Sequence, residues 1–163
     1  MLGIVASHAD AATWDTLHAM AQSEKTAQVR DEYYGLLARA EDDALARRAL
    51  DLALTDEPGE TNSASMIAGV SGKHPDMAFD FAMAHMAQID PKVDTTSRSR
   101  FYPGIAGGSH DPAMIAKLRA YADAHVAAKS RRATETAIAG VENAIKVRRE
   151  RRPELAAWLK KNG

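Results

Sequence analysis

Two adjacent stretches decide the fold of this chain: TAQVRDEYYGLLARA at residues 26–40 and DDALARRALDLAL at residues 42–54, with only Glu41 between them. Apolar residues recur every three or four positions in both runs, which predicts two helices that each bury one face. Asp42 can cap the second helix, because its carboxylate can accept the exposed amide hydrogens of the first turn. A link this short joins neighbouring antiparallel helices, so the two runs form a helical hairpin.

The same helical spacing recurs along the rest of the chain, while Val, Ile and Thr never cluster in the alternating runs of a strand. Further helices are predicted at residues 10–22, 63–70, 75–89, 111–126 and 130–149. Pro153 is expected to open a last short helix that buries Leu155, Trp158 and Leu159. Truncation of a buried Trp158 to Ala would cost roughly 3–5 kcal/mol. The longest irregular stretch is residues 90–110, which has room for one short helix.

These elements place the chain in the all-α class, as one helical domain over residues 1–163. About eight helices joined by short links fit an irregular α-solenoid, a stack of antiparallel helix pairs, better than a four-helix bundle. Most of the helices are too short for a bundle and there are too many of them.

Composition excludes several function classes. The chain has 163 residues, no cysteine and a formal net charge of −1. Disulfides, thiolate metal sites and a cysteine nucleophile are therefore excluded, and the charge argues against a dedicated nucleic-acid binder. No run approaches the roughly 20 apolar residues of a membrane span. We expect no nucleic-acid or membrane partner, and a cytoplasmic location because the first residues lack a signal peptide.

Residue patterns for catalysis are also missing. No two of the six histidines stand four positions apart, as a zinc-binding helix requires. The nucleophile elbow Gly-x-Ser-x-Gly does not occur. The segment Gly104–Ser109 lacks the Lys-Ser/Thr ending of a phosphate-binding loop. We therefore predict no catalytic, cofactor-binding or metal-binding residue in this chain.

Two groups of cations could contact a partner. Residues 129–163 carry ten Lys/Arg against four Asp/Glu, and this basic segment suits either an acidic partner or simple solvation at a helix end. Arg98, Arg100 and Tyr102 surround Phe101 in the irregular stretch, where they could line a binding groove. The alternative is that Phe101 fills the core and the arginines are solvated.

Several segments, in order, carry a family resemblance: Leu36–Leu45, Arg48–Leu54, Lys73-His74-Pro75, Ala78–Ala82 with His85, Arg132–Glu135, Asn143–Ile145 and Pro153–Leu159. Together they resemble the C-terminal helical domain of M1-family zinc aminopeptidases, in the puromycin-sensitive and antigen-trimming branch. The similarity extends from about Gln28 to Leu159.

The resemblance implies a curved, HEAT-like stack that covers an active site and contacts peptide. The family's His-Glu-x-x-His zinc site and its Gly-x-Met-Glu-Asn motif lie in an upstream domain, and neither motif occurs here. The chain would be a non-catalytic C-terminal part, inactive by itself, of an enzyme that removes N-terminal residues from peptides. Zinc would belong to the parent's catalytic domain, the partner in cis.

Four residues are predicted as possible peptide contacts: Arg39, Arg98, Arg100 and Tyr102. In the antigen-trimming branch, a cation at the position that matches Arg39 lies near the peptide's C-terminal end. The alternative for Arg39 is a surface residue beside the acidic link. The alternative for the whole chain is a free-standing α-solenoid adaptor that binds a peptide or an acidic protein.

Overall fold

A computed structural model describes residues 2–162, apart from the side chain of Arg152. Within these residues the chain is helical and contains no strand. The helices are α1 (Leu2–Ser7), α2 (Ala11–Ser23), α3 (Ala27–Leu37), α4 (Asp43–Leu54), α5 (Glu60–Ser71), α6 (Pro75–Ala84), α7 (Met86–Ile89), α8 (Arg98–Ala106), α9 (Ala113–His125) and α10 (Arg132–Asn162). Two 3-10 turns lie at Asp90–Lys92 and Ala128–Ser130.

Local chemistry starts several of these helices where the sequence predicts. The carboxylate of Asp42 accepts a hydrogen bond of 3.0 Å from the amide of Leu45 and caps α4. Asp10 caps α2 in the same way through the amide of Thr13, at 2.8 Å. Pro75 is the first residue of α6. An amide hydrogen at this position would find no acceptor within the helix, so proline loses no hydrogen bond there.

The helices stack as a row of pairs. Helices α3, α5, α8 and α10 contact one another in that order, and α2, α4, α6 and α9 pack alongside them. Helix α1 attaches to α3, which begins the row, and α10 ends it. This is the solenoid-like, all-α arrangement that the sequence predicts, and it makes α8 and α10 direct neighbours.

One apolar core runs through the whole stack, from Ala6 in α1 to Val141 in α10. Tyr34, Phe79 and Tyr102 are among its largest fully buried side chains. The end of α3 approaches α5 closely, since a Cβ atom on Gly69 would lie 2.9 Å from the Cβ atom of Ala38, the residue that follows α3.

The irregular stretch at residues 90–110 contains more helix than the sequence indicates. It begins with a 3-10 turn and then forms α8, which includes Pro103. Pro103 fixes a backbone angle that a helix accepts, although it cannot donate to the carbonyl of Ser99. The predicted helix at residues 75–89 is divided at His85, whose φ of −115° and ψ of 20° are not helical.

The prediction for the C-terminal end is wrong in two respects. Pro153 lies inside α10 rather than at the start of a new helix. The carbonyl that loses its donor belongs to the exposed Arg149, where water can replace the missing hydrogen bond. Leu155, Trp158 and Leu159 are not buried, with 57%, 60% and 53% of their surface exposed.

Candidate functional site

A groove of about 700 Å³ lies between α8 and α10. Much of its lining consists of small residues: Gly104, Gly107, Ala133, Ala137 and Gly140. The two helices approach closely there, since a Cβ atom on Gly140 would lie 3.4 Å from the carbonyl oxygen of Gly107. Hydroxyl groups of Ser99, Ser130 and Thr136 stand around it. Arg132 and Ala133 in the first turn of α10 also line the groove, so the partial positive charge of a helix N-terminus lies beside it.

Arg100 and Arg132 flank this groove from opposite sides, one on α8 and one on α10. Both residues are exposed. Neither guanidinium forms an ion pair or a hydrogen bond with the described residues. Guanidinium groups bind carboxylates through two parallel hydrogen bonds, so the groove offers two available cations to an anionic ligand.

Arg98 and Tyr102 serve the fold instead of the groove. Tyr102 is 2% exposed, and its hydroxyl donates a hydrogen bond of 2.6 Å to Oδ1 of Asp90. The Nε atom of Arg98 donates to the carbonyl of Val93 at 3.2 Å. Burial, followed by the hydrogen bond to Asp90, raises the pKa of Tyr102. Both side chains therefore fasten residues 90–93 to α8, and their prediction as peptide contacts stays a prediction.

The sequence offers Phe101 as the core residue and Tyr102 as a possible contact residue, but the burial of the two side chains is the reverse. Tyr102 is the fully buried aromatic residue, while Phe101 is only partly buried against the core. Tyr102 packs near Tyr121, with ring centroids 5.4 Å apart, and burial raises the pKa of Tyr121 to about 12.

Arg39 lies away from this groove, directly after α3. It is exposed, and a Cβ atom on Gly3 of α1 would lie 3.2 Å from its Nη1 atom. Arg39 is thus beside α1 at the beginning of the stack, whereas Arg100 is beside α10 at its end. The four predicted contact residues do not form one site.

Sequence reasoning missed Arg132 as the counterpart of Arg100. The two residues are separated by more than thirty positions in the sequence, and only the packing of α8 against α10 brings both to one groove. A charge pattern along the chain carries no information about that packing.

The histidines of this chain do not fit a zinc site. Among residues 2–162, no group of three or more His, Cys, Asp or Glu is arranged to hold a metal. His18 is hydrogen-bonded to Glu57 at 2.6 Å, and His74 lies 2.9 Å from the carbonyl of Ala40. Glu41, which is near His8, already binds the ammonium group of Lys73 at 2.6 Å. His8, His18 and His74 thus each lie beside partners of their own, and no step through zinc is assigned to these residues.

None of the described helices combines the length and the apolar character needed to cross a bilayer.

A family model gives the chain its relationship to known proteins. The model of the ERAP1-like C-terminal domain matches residues 1–143. The chain therefore belongs to the ERAP1-like C-terminal domain family, and this family is consistent with an origin in M1 aminopeptidases. A comparison with curated proteins finds no match.

The matched range relates directly to the structure. It covers α1 to α9 and the part of α10 that packs on α8 and α9, and it ends just before the exposed part of α10. The resemblance noted at Leu36–Leu45 and Lys73-His74-Pro75 lies inside the match. The segment Pro153–Leu159 lies outside it.

Proposed function

We propose that this chain is the non-catalytic C-terminal part of an M1 zinc aminopeptidase, where it covers the active site and contacts the peptide. The family match over residues 1–143 is the observation that carries this proposal. Chemistry would then be supplied by the catalytic domain of the same polypeptide, and this helical stack would limit access and position the substrate.

We infer that the peptide contact is made in the groove between α8 and α10. Arg100 and Arg132 are available there to a carboxylate, and a guanidinium suits that geometry better than a lysine ammonium group. A peptide offers a carboxylate at its C-terminus, while its N-terminus must reach the catalytic site. The groove would therefore hold the end of the peptide that is not cleaved.

Peptide titration of the 163-residue chain tests this contact. A peptide with a free C-terminal carboxylate should bind more tightly than the same peptide with a C-terminal amide. Arg100→Gln and Arg132→Gln should each weaken binding of the free acid about tenfold, as expected for the loss of a charged hydrogen bond of about 1.4 kcal/mol. Arg47→Gln is the matched control, because Arg47 is exposed on α4, which packs mainly on α3 and α5 rather than on α8 or α10. Equal binding of acid and amide would refute the contact.

The size of the native gene product tests the link to a catalytic domain. An antibody raised against this chain should detect a protein far larger than 17.6 kDa in an extract of the source cells. A band at 17.6 kDa would refute the catalytic domain in cis and would favour the free-standing adaptor.

A further inference from the structure

The groove between α8 and α10 carries positive charge that no acidic residue in its described lining balances. The neighbouring groove, between α9 and α10, has charges of both signs in its lining: Arg119, Arg131, Asp123, Glu135 and Glu142. There Arg131 is already paired with Asp123 at 2.7 Å. The unbalanced positive charge is therefore a property of the groove between α8 and α10 and not of α10 as a whole.

The hydrogen-bond donors around this groove exceed the needs of one carboxylate. A carboxylate accepts about four hydrogen bonds, and Arg100 and Arg132 could supply that number by themselves, at two bonds each. Ser99 and Ser130 bring two further hydroxyl groups to the groove, and neither hydroxyl has a hydrogen-bond partner within residues 2–162. The amide groups in the first turn of α10 also lack acceptors inside the helix. A ligand with a single carboxylate would leave part of this donor set to water.

The groove has room for more than a terminal carboxylate. Its volume of about 700 Å³ lies within the range of pockets that enclose a whole small ligand. Arg100 extends from α8 and Arg132 from α10, on opposite sides of that space. Two carboxylates of one ligand could therefore each meet a guanidinium of their own.

We propose that this groove selects peptides with an acidic residue at the C-terminal end, so that Arg100 and Arg132 together bind two carboxylates. One is the terminal carboxylate, and the other is the side chain of an Asp or Glu at the last or next-to-last position. With a neutral peptide end, both arginines share the terminal carboxylate alone. This inference rests on the proposed function, because it names the class of peptide that the same groove takes.

Other peptide ends fit the groove less well. A basic last residue would bring a third positive charge between Arg100 and Arg132. A large apolar last residue would find little to pack against, since Pro103 is the largest apolar residue in the described lining. It would also cover the guanidinium groups without pairing them, which costs free energy.

Titration of the 163-residue chain with four peptides of otherwise equal sequence tests this selectivity. The peptides have a free C-terminal carboxylate and end in Ala-Glu, Ala-Gln, Glu-Ala and Gln-Ala. Glutamate should bind about tenfold more tightly than glutamine in at least one of the two positions, as expected for one added charged hydrogen bond. The position with this preference is the source of the second carboxylate. High salt should reduce the preference, because it screens the attraction between charges.

Arg100→Gln and Arg132→Gln should each remove the preference for glutamate, because the terminal carboxylate then occupies the remaining guanidinium. Arg47→Gln, on the exposed surface of α4, is the matched control and should keep the preference. An unchanged circular dichroism spectrum would show that the variants still fold. Equal binding of glutamate and glutamine peptides by the native chain would overturn the inference, and so would a preference that survives in both groove variants.

The failure of this inference is distinguishable from the failure of the proposed function. A chain that prefers the free acid to the C-terminal amide, but binds glutamate and glutamine peptides equally, would keep the peptide contact and lose only the selectivity. A chain that binds acid and amide equally would lose the peptide contact itself, and the inference with it.

Discussion

Tyr102 donates a 2.6 Å hydrogen bond to Asp90 and thereby joins α8 to the 3-10 turn at Asp90–Lys92. The carbonyl of the same Asp90 accepts a hydrogen bond from Nη2 of Arg98 at 2.5 Å. Side chains that look suited to ligand binding in the sequence therefore hold together a segment rich in turns. Their removal should affect stability before it affects any contact with a peptide.

Tyr102→Phe should lower the free energy of unfolding by about 1–2 kcal/mol, since it removes a hydrogen bond to a carboxylate and leaves the ring in place. Urea denaturation measures the change. Tyr33→Phe is the control, because Tyr33 is partly buried and its hydroxyl makes no hydrogen bond with the described residues. Equal stability of Tyr102→Phe and the native chain would mean that this bond contributes nothing to the fold.

Gly69→Ala should destabilise the chain although alanine favours helices. The new Cβ atom would lie 2.9 Å from the Cβ atom of Ala38, the residue that follows α3, so the end of α3 would have to move away from α5. We expect a loss of about 1–3 kcal/mol, as in other overpacked cores. Gly35→Ala in α3 is the matched control, since nothing lies within 4 Å of its Cβ position. This control should gain up to about 1 kcal/mol from helix propensity, and thermal unfolding should show opposite signs for the two variants.

Periodicity predicts the elements of this fold well because most of its helices bury one face. The hairpin of α3 and α4, the cap at Asp42 and the start of α6 at Pro75 all follow from local chemistry. Local chemistry does not predict α1, whose six residues, Leu2–Ser7, are too short for the spacing to appear. It also fails at Pro153, because a proline signals a helix start only if the preceding residues leave the helix.

Only one of the two arginines that flank the candidate groove could be predicted from the sequence. The cluster around Arg100 stands out in the sequence, but its partner Arg132 depends on how α8 packs against α10. The other predicted residue, Arg39, lies against α1 rather than in the groove. Contacts between helices that are distant along the chain decide these positions, and one sequence contains no direct record of them.

Acid should destabilise this chain partly through Glu57, which joins α2, α3 and the link after α4. His18 lies 2.6 Å from Oε1 of Glu57, and Tyr34 and Gln22 donate hydrogen bonds to this carboxylate at 3.1 and 3.2 Å. Burial by itself would raise the pKa of Glu57, but these hydrogen bonds outweigh it and lower that pKa below its usual 4.5. A lowered pKa in the folded state means that the stabilisation is present above pH 4.5 and is lost as the pH falls further.

Glu57→Gln should therefore unfold more easily at neutral pH and should lose less stability than the native chain on acidification. Thermal midpoints measured across the acid range test both effects. Glu60→Gln is the control, because Glu60 is exposed at the start of α5 and should leave the acid limb unchanged. An acid limb of unchanged slope in Glu57→Gln would show that another carboxylate is responsible.

The two tryptophans should respond in opposite ways to substitution. Trp14 is 2% exposed, its indole donates to the carbonyl of Leu37 at 3.2 Å, and the guanidinium of Arg48 lies 4.2 Å from the ring centroid. Trp14→Ala should therefore lower the free energy of unfolding by about 3–5 kcal/mol, in the range for a buried aromatic residue.

Trp158 is 60% exposed, so Trp158→Ala should change the free energy of unfolding by less than about 0.5 kcal/mol. Both variants should be compared with the native chain by urea denaturation at the same protein concentration. The chain has only these two tryptophans, and Trp158→Ala should shift the fluorescence maximum to the blue because the buried Trp14 alone would emit. A large loss of stability in Trp158→Ala under these conditions would mean that the end of α10 packs against its own chain.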